Sequence, residues 1–152
     1  MKKKVTLKAI TADNWEEVAD LEVSDEQDDF VASNAFSIAE SKFNDHAVPL
    51  AIYAGDEPVG FIMYEPQHDE DDPSTFLIYR FMVDEDHQGE GHGRAGMAAL
   101  LDRLRATPAC RRITICYVAG NARAKAFYAS FGFKEVGTND DGELVAEIIV
   151  GE

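Results

Sequence analysis

Cysteine is scarce: Cys110 and Cys116 are the only two in 152 residues, and their spacing fits neither a metal knuckle nor a redox pair. Nothing points to secretion, so both are expected to be reduced. No apolar run approaches the length of a membrane span, and no signal-peptide core is present. The expectation is a cytoplasmic protein without a membrane partner. Basic residues are also few, with 14 Lys and Arg against 29 Asp and Glu and a formal net charge of -15. Lys2, Lys3 and Lys4 sit at the extreme N-terminus, so the remaining body is more acidic still. Such a surface repels nucleic acid and anionic membranes and attracts cations, polyamines among them. Solubility or adaptation to salt accounts for the charge equally well. Metal-ligand spacing is missing too: His68-Asp69-Glu70-Asp71-Asp72 has no EF-hand pattern and reads as a solvated loop, so no metal is expected. There is no repeat, linker or low-complexity segment. The length and the 45% apolar content predict one domain, 1–152, with a sizeable core.

The chain punctuates itself into short elements. Val5–Ile10 alternates as a strand, and Asp13 can cap a helix that starts near Trp15 and carries Val18, Ala19 and Leu21-Glu22-Val23. A second helix is predicted over Phe30–Phe43, with Phe30, Val31, Ala35, Ile38, Ala39 and Phe43 as its buried stripe. Pro49–Ala54 and Pro58–Tyr64 form a hairpin around Gly55-Asp56-Glu57. Glu65–Ser74 reads as a polar loop, and Phe76–Val83 as a nearly continuous apolar strand. A glycine-rich loop, Asp84–Gly93, leads into a helix over Arg94–Ala106 that ends before Pro108. Ala95, Ala98, Ala99, Leu101 and Leu104 are spaced to face the core there. A doubly buried strand at Arg112–Val118, a helix at Ala122–Phe131 and two strands at Phe133–Gly137 and Glu143–Val150 complete the order β-α-α-β-β-β-α-β-α-β-β. That order predicts a mixed α/β (α+β) domain: a mostly antiparallel sheet flanked by helices, with one parallel crossover around the glycine loop.

The loop Gln88-Gly89-Glu90-Gly91-His92-Gly93 follows a buried strand and precedes a helix. Glycines admit close backbone approach, and a helix start offers free N–H groups and a positive dipole end, which together suit an anion. The loop has no Lys-Ser/Thr after its last glycine, which excludes a Walker A site. It also lacks a third glycine three residues beyond Gly91, which excludes the dinucleotide fingerprint. His87 and His92 flank it and are expected at the surface. Downstream, Asn121 opens a helix that carries Phe127, Tyr128 and Phe131.

Gln88-x-x-Gly91-x-Gly93 followed by Asn121 and the Phe127-Tyr128 pair resembles the GNAT superfamily of acyl-CoA-dependent N-acyltransferases. The resemblance implies acetyl-CoA as co-substrate, with Gln88, Gly89, Glu90, Gly91, His92, Gly93 and Arg94 at its pyrophosphate. It also implies Phe81, Met82 and Val83 as the edge carrying the pantetheine arm, Asn121 as a cofactor contact, and Tyr128 as the acid that protonates the departing thiolate. Backbone donors near Met82 and Val83 would serve the oxyanion. Two positions depart from the pattern: Glu90 puts a carboxylate beside the pyrophosphate, where Arg94 and Arg123 would compensate, and Tyr79 stands where many relatives carry an acid. The stretch from Leu21 to Glu40, with Tyr79-Arg80-Phe81, looks most like the diamine/spermidine N-acetyltransferase branch. It implies a small-molecule amine acceptor, a polyamine or diamine, near Glu22, Glu40 and Tyr79, and water-relayed deprotonation through Glu22 or another carboxylate. A homodimer is implied by resemblance only. Arg80 reads as the structural partner of an acid. A protein N-terminus, an amino acid or an antibiotic amine as acceptor, or a non-catalytic acyl-CoA-binding module, remain the alternatives.

Overall fold

The computed structural model describes residues 4–22, 33–67 and 72–150. Seven strands form one sheet in the order β1-β2-β3-β4-β5-β7-β6: β1 Val5–Ala9, β2 Val48–Ala54, β3 Glu57–Gln67, β4 Asp72–Val83, β5 Arg112–Tyr117, β6 Lys134–Thr138 and β7 Leu144–Ile149. Neighbours pair antiparallel except β4 with β5. Helices α1 (Trp15–Ala19) and α2 (Asn34–Ser41) cover one face, and α3 (His92–Arg105) and α4 (Ala122–Ala129) cover the other. The element order is the one read from the sequence, with a 3-10 turn at Glu85–His87 added in the loop.

The two faces carry separate cores. On the α3/α4 side Leu50, Ile52, Ile62, Ile78, Met97, Leu100, Leu101, Ile113 and Ile115 pack together. Val18, Ile38, Ala51, Phe61, Met63 and Met82 pack on the α1/α2 side. Gly96 lets α3 sit close on β2, since a Cβ there would stand 2.9 Å from Ile52 Cδ1.

Several expected boundaries move. Strands β3 and β4 run into the predicted polar loop, with Glu65 opposite Leu77 and Pro66 opposite Phe76. A ladder needs backbone groups rather than apolar side chains, so the polarity of that segment hid the pairing. His68–Asp71 lie outside the described residues, as do Val23–Val31, which include the predicted helix start at Phe30 and the acids Asp25, Glu26, Asp28 and Asp29. Helix α2 starts at Asn34, capped by the Ser33 hydroxyl, which accepts the Phe36 N–H. Its inward face is Asn34, Ser37 and Ile38: of the predicted apolar stripe Ile38 is buried as expected, whereas Ala35 and Ala39 are exposed, and Phe43 is 92% exposed. In α3 likewise Gly96, Met97 and Leu100 point inward and Ala98 outward, because small alanines give little reason to be buried.

Strand β4 is irregular at two points. Opposite β3, Met63 pairs with Arg80 and Tyr64 with Ile78, so Tyr79 is an extra residue and β4 bulges there. Against β5 the parallel pairing covers only Thr75–Ile78. Beyond Ile78 the two strands part: β4 continues on β3 alone and β5 on β7 alone.

Candidate active site

The parting of β4 and β5 opens a cleft of about 280 Å³. Its walls are Phe81–Val83 of β4, the loop from His87 to Arg94, and Asn121, Arg123, Ala124, Phe127 and Tyr128 at the start and along the side of α4. Of the residues expected to hold the cofactor, Phe81, Met82, Val83, Gln88, Gly89, Gly91, His92, Gly93, Arg94 and Asn121 line this one cleft together with Tyr128. Glu90 is the exception.

The loop is built by its glycines. Gly89 (φ 82°) and Gly91 (φ 84°) are left-handed, a conformation that costs other residues about 1–2 kcal/mol. Gly91 is the N-cap of α3. The first helical bond joins the Ala95 N–H to the Gly91 carbonyl, so the N–H groups of His92, Gly93 and Arg94 have no intrahelical acceptor. Gly93 leaves room for β4: a Cβ would come 3.1 Å from Val83 Cγ2 and 3.5 Å from Phe81 Cζ. Gln88 ties the loop to the strand end, its Nε2 donating to the Val83 carbonyl at 2.9 Å. Arg94 is held by Ser130 Oγ (2.7 Å) and by the rings of Phe127 and Phe131, which keeps a cation at the rim. Glu90 does not lie among the cleft residues. Its carboxylate engages His92 Nε2 at 2.9 Å, so it does not stand as a bare carboxylate in the cleft.

The histidines are not the surface residues that the sequence suggested. His87 is largely buried and bridges two acids, Asp84 Oδ2 at 3.0 Å and Glu57 Oε1 at 3.2 Å. His92 packs near it, ring centroids 6.3 Å apart, with Glu90 beyond. Asp84 in turn accepts the Glu22 N–H, and the Glu85 N–H donates to the Glu22 carbonyl. Glu22 is thereby placed at the C-terminal end of β4, although its own side chain is exposed. Burial lowers the His87 pKa, but the Asp84 hydrogen bond and the charges of Glu57 and Asp84 outweigh it and leave the value raised above 6.5. The charged bridge therefore stabilises the fold fully below the unfolded pKa and is lost as pH rises through the folded one. His87→Ala is expected to lower Tm most in the acidic range, with the gap to wild type closing as pH rises. A gap that widens with pH in thermal unfolding would contradict this bridge.

Asn121 caps α4, its Oδ1 accepting the Ala124 N–H at 3.0 Å, which leaves its Nδ2 for the cleft. Asn121→Ala is expected to cost about 1 kcal/mol of stability. A simultaneous rise in KM for the cofactor would separate a direct contact from a cap alone.

Tyr128 is buried among Phe81, Tyr117, Phe127 and Phe133. Burial, followed by neighbouring Tyr117, pushes its pKa well up. Its hydroxyl therefore keeps its proton throughout the physiological range. Tyr117 donates to Glu135 at 3.0 Å and is itself pushed up to about 12 by burial and that carboxylate.

The remaining candidates lie beyond the bulge on the α1/α2 side. Arg80 meets Glu40 of α2 at 3.4 Å, the acid partner expected for it. Tyr79 stands beside them and near Glu65, an acid that the sequence reading missed because it fell in a predicted loop. Glu40 and Glu22 are thus separated: one sits at the bulge, the other at the far end of β4.

Residues 13–133 match the family model described as the acetyltransferase (GNAT) family. The chain is 33% identical over 145 residues to the spermine/spermidine N(1)-acetyltransferase of Bacillus subtilis (strain 168), covering 93% of this chain and 95% of that protein. The probable spermine N(1)-acetyltransferase of Bacillus subtilis subsp. natto (strain BEST195) is 32% identical over the same shares. In fold the chain is similar to an aminoglycoside acetyltransferase solved with coenzyme A and kanamycin, with a TM-score of 0.80, 21% identity, and 96% of this chain and 95% of that one covered. It is also similar to an acetyltransferase from Thermus thermophilus, with a TM-score of 0.73, 16% identity, and 98% and 99% covered.

Proposed function

This chain belongs to the GNAT acetyltransferase family, and we propose that the amine it acetylates is a polyamine or diamine. The enzyme is an acetyl-CoA-dependent N-acetyltransferase. The observation that carries the acceptor class is the 33% identity, along 93% of the chain, to a protein named for spermine and spermidine. Glu40 and Glu65 around Tyr79 support it, because two carboxylates near one arginine leave a negative field.

The donor suits the cleft. Free N–H groups at the start of α3, a loop of left-handed glycines and the Arg94 guanidinium fit a pyrophosphate. The unpaired edge of β4 past Ile78 fits an amide-bearing arm that needs backbone partners. Acetyl-CoA supplies an acetyl group activated as a thioester. In this reading the loop from Gln88 to Arg94 and the Asn121 amide fix its position. β4 from Phe81 to Val83 offers N–H donors where negative charge develops. Tyr128 donates its proton to the departing sulfur. Glu40 and Tyr79 orient the acceptor. Glu22, at the end of β4, takes the ammonium proton through water.

The reading is tested by following thiol release from acetyl-CoA with spermidine, spermine, putrescine, kanamycin, free amino acids and a peptide N-terminus. Turnover is expected to be highest with the polyamines. Equal or faster turnover of an aminoglycoside, amino acid or peptide would overturn the acceptor class. Tight acetyl-CoA binding with no turnover on any amine would overturn the residue roles.

A further inference from the structure

The glycine loop is a partition between two hollows. On one side lies the cleft, and on the other an acid-lined hollow of about 650 Å³ with Glu57, Asp86 and Glu90 in its wall. His87, Gly91 and His92 line both. Among the described residues, no atom beyond the adjoining residues lies within 4 Å of a Cβ built on Gly89 or Gly91. The loop is therefore not pressed into place by packing, and its position depends on polar ties. One tie runs from Gln88 Nε2 to the Val83 carbonyl. Another is His87, whose Nδ1 meets Asp84 Oδ2 at 3.0 Å and whose Nε2 meets Oε1 of Glu57, the first residue of β3, at 3.2 Å.

That geometry selects one protonation state. A neutral imidazole has a single N–H, and its second nitrogen is an acceptor. Between two ionised carboxylates, that nitrogen would set lone pair against lone pair. Only the imidazolium donates to both. Loss of the proton opens one of the two ties and leaves two carboxylates uncompensated beside a site suited to an anion. The surroundings make this charge count. Asp84, Glu85, Asp86 and Glu90 belong to the loop and Glu57 faces it, whereas the cleft offers the guanidinium groups of Arg94 and Arg123. The neighbouring ring, His92, has its Nε2 on Glu90 at 2.9 Å, and Asp84 also accepts the Glu22 N–H. Burial works against the charged His87 ring, but the Asp84 hydrogen bond and the Glu57 and Asp84 charges outweigh it and leave the pKa raised above 6.5.

We propose that His87 is a positioning residue for the donor: its imidazolium holds the glycine loop in the shape that binds the acetyl-CoA pyrophosphate, and donor binding is coupled to its proton. The proposal rests on the reading of this loop as the pyrophosphate site. The sign follows from linkage. The charged ring favours the bound state, so acetyl-CoA affinity is full below the His87 pKa of the free enzyme and falls as pH rises through that of the complex. By reciprocity, acetyl-CoA binding takes up a proton.

The test measures acetyl-CoA affinity by calorimetry in wild type and His87→Gln, from about pH 6 to about pH 9, a range that spans histidine titration. Glutamine is uncharged and does not titrate. The 3′-phosphate of the cofactor loses its second proton near about pH 6, but it is common to both proteins and cancels in the ratio of their affinities. Wild type is expected to bind about tenfold more tightly than His87→Gln at the acidic end, as one pKa unit of coupling gives, with the ratio closing toward unity at the alkaline end. A ratio that stays constant with pH overturns the proposal, because a residue that only packs would behave so. If His87→Gln does not fold, wild type decides. Calorimetry in buffers of different ionisation heat should then show net proton uptake on binding near neutral pH. Arginines that grip the 3′-phosphate would drive proton release, so release or no exchange overturns the proposal. Acetyl-CoA that binds wild type at no pH overturns the donor reading itself, a result distinct from binding that ignores pH.

Discussion

Tyr128→Phe is expected to lower kcat about a hundredfold or more while acetyl-CoA affinity changes little. The substitution removes one oxygen and keeps the ring, so the packing with Phe81, Tyr117, Phe127 and Phe133 survives. The proposed site for the cofactor's phosphates lies elsewhere, at the glycines and the first turn of α3. What is lost, in the role proposed for Tyr128, is the proton for the leaving sulfur. Burial holds that proton firmly, so the loss should be nearly independent of pH across the neutral range. Steady-state kinetics with calorimetry on the same samples checks both halves. An unchanged kcat would remove Tyr128 from the reaction. A fall in acetyl-CoA affinity matching the fall in kcat would make it a packing residue.

Gly60→Ala is expected to be the most damaging small change in the sheet. A Cβ at this position would lie 2.5 Å from the Met82 carbonyl oxygen, 3.1 Å from Ile52 Cδ1 and 3.4 Å from Val83 Cα. The Ile52 methyl can move aside, but the neighbouring backbone cannot do so without disturbing the Gly60–Val83 pairing. Overpacking of this kind costs about 1–3 kcal/mol, which lowers Tm by roughly 2–12 °C in a chain of this size. The functional cost should be larger than the stability cost suggests. Val83 is where Gln88 anchors the glycine loop, and Met82 and Val83 line the cleft. Acetyl-CoA affinity should therefore fall together with Tm. Gly120→Ala is the control: no atom lies within 4 Å of its Cβ position and its φ is not positive, so both measurements should match wild type. Equal behaviour of the two variants would show that the approach of β3 to β4 at Gly60 is not tight.

The glycine loop was legible because its chemistry is local. Gln88, Gly89, Gly91 and Gly93 follow one another in the chain, and a loop between a strand and a helix start has the same geometry wherever it occurs. Asn121 and Tyr128 were named only through the family resemblance, and the structure brings both to the same cleft. The acceptor side was not legible. Glu65 sits in a polar stretch that reads as a loop, and only the β3–β4 ladder turns it toward Tyr79. The inward face of α2 was misread because it is Asn34, Ser37 and Ile38, a stripe too polar to register by periodicity.

The amino-acid sequence by itself determined the order of the elements and the placement of a glycine-rich loop between a buried strand and a helix start. Each of these follows from periodicity, glycine placement or residues close along the chain. Only the tertiary structure decided where β4 leaves β5, that Tyr79 is the extra residue of a bulge, that Glu90 is turned onto His92, and that His87 bridges Asp84 and Glu57. Those features depend on which backbone groups find partners across the sheet, and on which charges end up facing one another from distant parts of the chain. A one-residue slip in pairing leaves the composition of a segment unchanged and reverses the side to which its side chains point.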